Sequence, residues 1–94
     1  MKTMMYNVKP TSKFKKDRKR AKKRGYDLKL LENVVETLAS CKPLDEKHND
    51  HQLHGKMKDF RECHILPDWL LVYCIEKDIL VLWLMETGTH SDLF

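Results

Sequence analysis

No stretch of this chain is long and apolar enough to cross a bilayer as a helix. The longest apolar run, Ile79 to Met85, has seven residues, whereas a spanning helix needs about 20. The first residues contain neither an apolar core nor a small-residue cleavage site, so no secretory signal peptide is expected. Cysteine is scarce: Cys41, Cys63 and Cys74 are odd in number and widely spaced. That excludes a disulfide framework and points to reduced thiols in a cytoplasmic setting. There is no internal repeat and no low-complexity tail. At 94 residues the chain is expected to form one domain, residues 1–94. A domain of that size buries about 60–70% of its unfolded surface, enough for one modest core. With 41% hydrophobic and 34% charged residues, it has the composition of a soluble globular protein.

Acidic residues are nearly absent from one segment. Lys9 to Arg24 carries ten Lys or Arg and a single acid, Asp17, for a charge of +9. The whole chain is +4, so the remainder is −5. Such asymmetry marks a polyanion-binding face on an otherwise acidic domain. Ten cations around one helix repel one another unless something anionic offsets them. Phosphate backbones do so through counterion release, giving affinity without sequence specificity.

The hydrophobic pattern orders the elements. Met4–Val8 alternates weakly and stops before Pro10, as a short first strand would. Thr11 or Ser12 can cap a helix running to about Arg24, and Gly25 ends it. Asp27 caps a second helix, in which Leu31, Val34, Val35 and Leu38 form one stripe at i, i+3, i+4 and i+7. The first helix has only Phe14 and Ala21 in such a stripe, leaving most of its circumference for solvent or a partner. Cys41 to Met57 is polar and aperiodic, and it contains Pro43 and Gly55, so a loop is expected. Strands follow over about Asp59–Ile65, Trp69–Glu76 and Ile79–Thr87. Pro67–Asp68 and the two residues Lys77–Asp78 form the turns. The run ILVLWLM, apolar at every position, suits a strand buried on both faces and placed centrally. The order β-α-α-β-β-β gives an α+β domain, a helical hairpin on a mostly antiparallel four-stranded sheet.

Four of the five histidines and both tryptophans lie between Asp50 and Phe94. Histidine can give and take protons near neutrality, with an unperturbed pKa of about 6.5. His48, His51 and His54 have three-residue spacing, but they fall in the expected loop, and no Cys-x-x-Cys pair completes a tetrahedral metal set. In an alternating strand Phe60, Glu62 and His64 share one face, and Arg61, Cys63 and Ile65 the other. His64 closes its strand, while Asp68 and Trp69 open the next. With RNA as substrate these parts fit an acid–base reaction. A base removes the 2′-hydroxyl proton, an acid protonates the leaving 5′-oxygen, and no metal is required. A cation stabilises the phosphorane, and an aromatic ring stacks on a splayed base. His51, His64, Asp68, His90 and Arg61 are candidates for the polar roles, Trp69 and Phe94 for stacking or for core packing.

The segments DHQLHGKMKDFRECHILPDWLLVY and TGTHSDLF closely resemble the YafQ branch of the RelE/ParE toxin superfamily. The resemblance spans essentially the whole chain. Its specific parts are Asp-His-x-Leu-x-Gly, Phe-Arg-x-x-His-x-x-Pro-Asp and Gly-Thr-His-x-x-Leu-Phe. It implies a RelE-like microbial RNase fold and a type II toxin–antitoxin system. The toxin is then a cytoplasmic endoribonuclease that enters the ribosome and cuts mRNA, with no metal or organic cofactor and no membrane partner. The implied partners are a cognate antitoxin, the ribosome and mRNA, with operator DNA reached only through the antitoxin complex. By position, the implied catalytic residues are His51, His64, Asp68, His90 and Phe94, with Trp69 beside them. His90 would be the general acid, His51 or Asp68 the base, and His64 would orient or stabilise the phosphate. The basic helix, through Lys13, Lys15, Lys16, Arg18, Lys19, Arg20, Lys22 and Lys23, would meet ribosomal RNA.

One position departs from the family pattern. Glu86 stands where the resemblance implies an arginine, three residues before Thr89. A carboxylate repels the scissile phosphate, so Arg61 or a lysine must supply the charge, or the toxin is weakened. Two alternatives remain: a ParE-like toxin with another target, against which the histidines argue, and a non-catalytic basic module that binds nucleic acid.

Overall fold

The computed structural model describes residues 5–94. Met4, the first residue of the expected opening strand, lies outside them; β1 spans Asn7–Pro10. Helix α1 covers Ser12–Lys23, with the Thr11 hydroxyl accepting the Phe14 N–H at 3.1 Å. Gly25, at φ +84°, follows its C-terminus, a conformation that costs glycine little. Helix α2 covers Leu28–Ala39, and the Asp27 carboxylate caps it by accepting the Lys29 N–H. Strands β2 (His51–Gln52), β3 (Arg61–Leu66), β4 (Trp69–Glu76) and β5 (Val81–Gly88) follow, and a short helix α3 (His90–Leu93) ends the chain.

The sheet has five strands in the order β1-β5-β4-β3-β2, not the expected four. β1 lies parallel to β5 and the other pairs are antiparallel. The additional strand is β2, inside the expected Cys41–Met57 loop. It pairs His51 with Glu62 and Gln52 with Arg61. Two residues are too few to show a period of two. The expected central strand is also shifted by one place. β5 is internal but lies next to the edge, and β4 is the middle strand. Residues Trp69–Tyr73 of β4 are buried, whereas Trp83 and Met85 of β5 are only half-buried. The turn between β4 and β5 is not the two-residue hairpin either. Lys77–Ile79 forms a 3-10 turn, and Leu80 takes a left-handed conformation at φ +53°.

One face of the sheet holds the helices. Cys63, Ile65, Trp69, Leu71, Tyr73, Leu82 and Leu84 meet Phe14, Ala21, Leu31, Val34 and Leu38 in a single core. The stripe expected on α2 is the one that packs, with Val35 at its margin. Asp17 joins Phe14 and Ala21 on the buried side of α1. It accepts from Lys13 at 2.8 and 2.9 Å and from the Thr87 backbone N–H at 3.1 Å, and it pairs with Arg20 at 3.3 Å. The single acid of the basic segment is therefore its anchor, because a buried carboxylate is tolerated only when paired and hydrogen-bonded. By alternation along β3 and β4, Glu62, His64, Leu70 and Val72 point to the other face. A bulge places Leu84 opposite Tyr73 and Glu86 opposite Val72, leaving Met85 unpaired between them.

Candidate active site

The face opposite α1 and α2 carries a row of four rings. The His51 and His64 centroids are 6.4 Å apart, His64 and His90 6.1 Å, and His90 and Phe94 6.2 Å. Three different elements bring them together. His51 enters β2 after Asn49, whose left-handed φ of +43° turns the chain into the sheet edge. His64 lies near the end of β3, where the register with β4 shifts before the Pro67–Asp68 turn. His90 opens α3, not the exposed loop that an irregular C-terminus would form. Thr89 and Asp92 close a reciprocal capping box around it: Thr89 N–H donates to Asp92 at 2.9 Å and Asp92 N–H to the Thr89 hydroxyl at 3.2 Å. Below the rings, Leu70 and Val72 form a dry floor with no exposed surface.

Hydrogen bonds to carbonyls fix the ring protons, since a carbonyl only accepts. The His64 Nδ1–H donates to the Pro67 carbonyl at 3.1 Å, which leaves Nε2 as its free nitrogen. The His51 Nδ1–H donates to the Asn49 carbonyl at 2.7 Å. Its Nε2 lies 3.5 Å from Glu62 Oε1. Glu62 is buried, and its other oxygen has no hydrogen-bond partner among the described residues. His48, half-buried, donates its Nδ1–H to the His64 carbonyl at 2.7 Å and braces the strand end. His54 is exposed and caps a 3-10 turn without a side-chain bond. The three-residue histidine spacing thus divides into a brace, a site residue and a surface residue. No group of three or more His, Cys, Asp and Glu among the described residues could hold a metal ion.

Other expected site residues fall elsewhere. Trp69 is 1% exposed and its ring lies 4.8 Å from Tyr26 in the core. It cannot stack on a base; the expectation that it binds substrate is corrected to a packing role. Arg61 is on the helix side of β3, opposite to His64, as its pairing with core Tyr73 requires. Its guanidinium pairs with Asp50 at 3.3 Å, and the Tyr73 hydroxyl donates to the same carboxylate at 2.5 Å. Burial, together with that bond, raises the Tyr73 hydroxyl well above its ordinary pKa. Arg61 is therefore spent on a structural network and is corrected as the phosphate cation. Asp68 is exposed in the turn after His64 and makes no hydrogen bond or ion pair among the described residues. Phe94 is 64% exposed and remains available for stacking.

The basic helix divides in two. Lys13 pairs with Asp17 and lies 3.8 Å from Glu86, Arg18 lies 3.7 Å from Glu32, and Arg20 pairs with Asp17 and approaches Asp92 at 3.8 Å. Lys15, Lys16, Lys19, Lys22 and Lys23 are exposed and make no ion pair among the described residues. Lys13 also lines a cleft of about 210 Å³ with Phe60, Val72, Met85 and Glu86, so it reaches toward the face of the histidines. The residues that sequence reasoning missed are Glu62, His48 and Asp92. Only Glu62 had a signal, as the residue that alternates with His64 on one strand face.

Comparison with known proteins places these features in a lineage. The family described as "Bacterial toxin of type II toxin-antitoxin system, YafQ" matches residues 6–94. The chain is 34% identical over 89 residues to the mRNA interferase toxin YafQ of Escherichia coli, covering 94% of this chain and 95% of that one. Among solved structures, a metal-bound toxin from Helicobacter pylori superposes with a TM-score of 0.91 at 51% identity, over 96% of this chain and all of that one. A chain of the E. coli DinJ-YafQ toxin–antitoxin complex gives 0.87 at 33% identity, over 96% and 98%.

Proposed function

The chain belongs to the YafQ family of bacterial type II toxins, and from that premise we propose that it is an mRNA interferase that cuts ribosome-bound mRNA by acid–base chemistry. The row of rings from His51 through His64 and His90 to Phe94 carries this reading. His64 Nε2, its tautomer held by Pro67, takes the proton of the 2′-hydroxyl. The 2′-oxygen attacks phosphorus, and the bond to the 5′-oxygen breaks. His90 delivers a proton to that leaving oxygen, and the products are a 2′,3′-cyclic phosphate and a 5′-hydroxyl. Each positioned proton-transfer group contributes about 10²–10⁴-fold. His51, held between the Asn49 carbonyl and Glu62, lies at the other end of the row and helps to position the scissile phosphate. The proton-accepting role expected of His51 or Asp68 thus passes to His64, whose nitrogen is free. Phe94 stacks on the base next to the cut.

Glu86 is offset rather than replaced. The Lys13 ammonium, 3.8 Å away, lowers the repulsion that its carboxylate exerts on the substrate phosphate. Lys15, Lys16, Lys19, Lys22 and Lys23 hold the protein on ribosomal RNA, and an antitoxin with acidic segments neutralises it in the cytoplasm. Operator DNA is reached through that complex. No helix of the described residues is long and apolar enough to cross a membrane.

The test is cleavage of ribosome-bound mRNA with 2′-deoxyribose at the cut site. The deoxy substrate should resist, and the ribose substrate should yield a cyclic phosphate with or without a zinc and copper chelator. The H. pylori relative is metal-bound, so the chelator arm is essential. Cutting of the deoxy substrate, or cutting that only added metal restores, would overturn the reading.

A further inference from the structure

His90 sits on a helix of four residues, too short to persist without external support. That support comes from the basic helix. The Arg24 guanidinium forks onto Asp92, with Nη1 to Oδ2 at 2.6 Å and Nη2 to Oδ1 at 3.2 Å. Arg20 adds a second cation 3.8 Å from Asp92 and donates to the Thr87 carbonyl at 3.4 Å. Asp17, buried in α1, accepts the Thr87 N–H. The backbone between these contacts has no slack, for a Cβ on Gly88 would lie 2.9 Å from Asp92 and 3.0 Å from Arg20. Arg24 with its neighbouring hydrogen bonds also holds the Asp92 carboxyl far below the ordinary carboxylate range. A lone exposed ion pair adds little stability. This pair is bidentate, its carboxylate closes a capping box with Thr89, and Arg20, Asp17 and Thr87 join it in one network, the situation in which geometry is fixed.

We propose that Arg24 and Arg20 are positioning residues for His90, acting through Asp92, and are not contacts to RNA. The basic helix then does two jobs with separate residues: Lys15, Lys16, Lys19, Lys22 and Lys23 bind phosphate, and Arg20 and Arg24 hold the proton donor at the end of the row. The proposal rests on the acid role given to His90 above. It divides a charged surface that sequence alone presents as uniform.

Single-turnover cutting by preformed toxin–ribosome complexes tests this, alongside co-sedimentation over a salt series. Asp92→Ala and Arg24→Ala should slow cutting roughly 10- to 100-fold, the penalty of misplacing a reacting group by about an ångström. Ribosome affinity should change less than about twofold for Asp92→Ala, and Arg24→Ala should leave the salt slope intact. Asp92→Glu, which can still close a capping box and meet an arginine, should restore most of the rate. Lys19→Ala should instead lower affinity and the salt slope. A second readout needs no activity: amide hydrogen exchange at Leu93 and Phe94, whose N–H groups bond to Thr89 and His90, should accelerate in Asp92→Ala. Arg24→Ala that weakens binding and flattens the salt slope while bound complexes cut at the wild-type rate would overturn the proposal. So would unchanged exchange in Asp92→Ala. A wild-type chain that cuts nothing would refute the functional reading instead, and the exchange experiment would still decide whether the clamp exists.

Discussion

Strand β3 sends Cys63 and Ile65 to the helices and Glu62 and His64 to the opposite face, and the two sides are built on different rules. On the helix side, apolar rings and methyl groups are buried almost completely, and Arg61, Asp50 and Tyr73 close their polar needs among themselves. On the other side, a fully buried floor of Leu70 and Val72 supports polar rings that stay partly open. Each of those rings keeps one nitrogen tied to backbone or has its helix clamped from behind. The difference shows how a two-layer domain of this size keeps both a core and a chemical surface. Helices α1 and α2 cover one face, and the other is dry below and carries the histidines above.

The largest expected effect breaks the open face alone. His90→Ala and His64→Ala should each reduce cutting by about 10²–10⁴-fold. Because His90 is exposed and His64 half-buried, urea unfolding should move by only about 0.5–1 kcal/mol. Full cutting activity in either folded variant would remove that residue from the reaction. The converse experiment breaks the core face. Trp69→Ala should cost about 3–5 kcal/mol in unfolding free energy, while cutting per folded molecule at low temperature stays near wild type. A folded Trp69→Ala protein of normal stability that fails to cut would restore Trp69 to the substrate surface.

Smaller changes sharpen the contrast. Glu86→Arg removes a carboxylate from the open face and adds a donor toward the phosphate, so cutting should rise by roughly tenfold. An unchanged rate would show that Lys13 already cancels Glu86. The smallest effect concerns pH. Asp92 has its folded-state pKa lowered, chiefly by the Arg24 hydrogen bond. Its ionised form therefore stabilises the fold at neutral pH, and that contribution fades as pH falls below about 4 toward the lower folded value. Asp92→Asn should be less stable than wild type at pH 7, and the gap should close in acid. A gap that widens in acid would contradict the assignment. On the core side, burial pushes the Cys63 thiol up to about 12, so it should resist alkylation at pH 8 while exposed Cys41 reacts.

Much of the architecture follows from local signals. Thr11 and Asp27 stand where a side chain can cap a helix, Gly25 where the chain must turn left-handed, and Leu31, Val34 and Leu38 where a helical period puts them on one side. Histidine content and the three motif segments were enough to indicate the family and the residues that form the row of rings. Other features were not legible. β2 is two residues long and exists only because β3 offers it an edge. Trp69 and Arg61 carry the right chemistry for substrate, but which strand face they occupy depends on where the core lies. The basic run looks uniform, because nothing local distinguishes Lys19 from Arg24. Sequence by itself determined the capped helices and the alternating strands, since those depend on neighbours a few residues apart, and it supplied the histidines. Only the tertiary structure decided which nitrogen of His64 is free, which cations are already spent and what holds His90 in place. Those outcomes depend on partners far along the chain, as for Arg24 and Asp92, 68 residues apart, whose meeting is fixed by packing rather than by any local pattern.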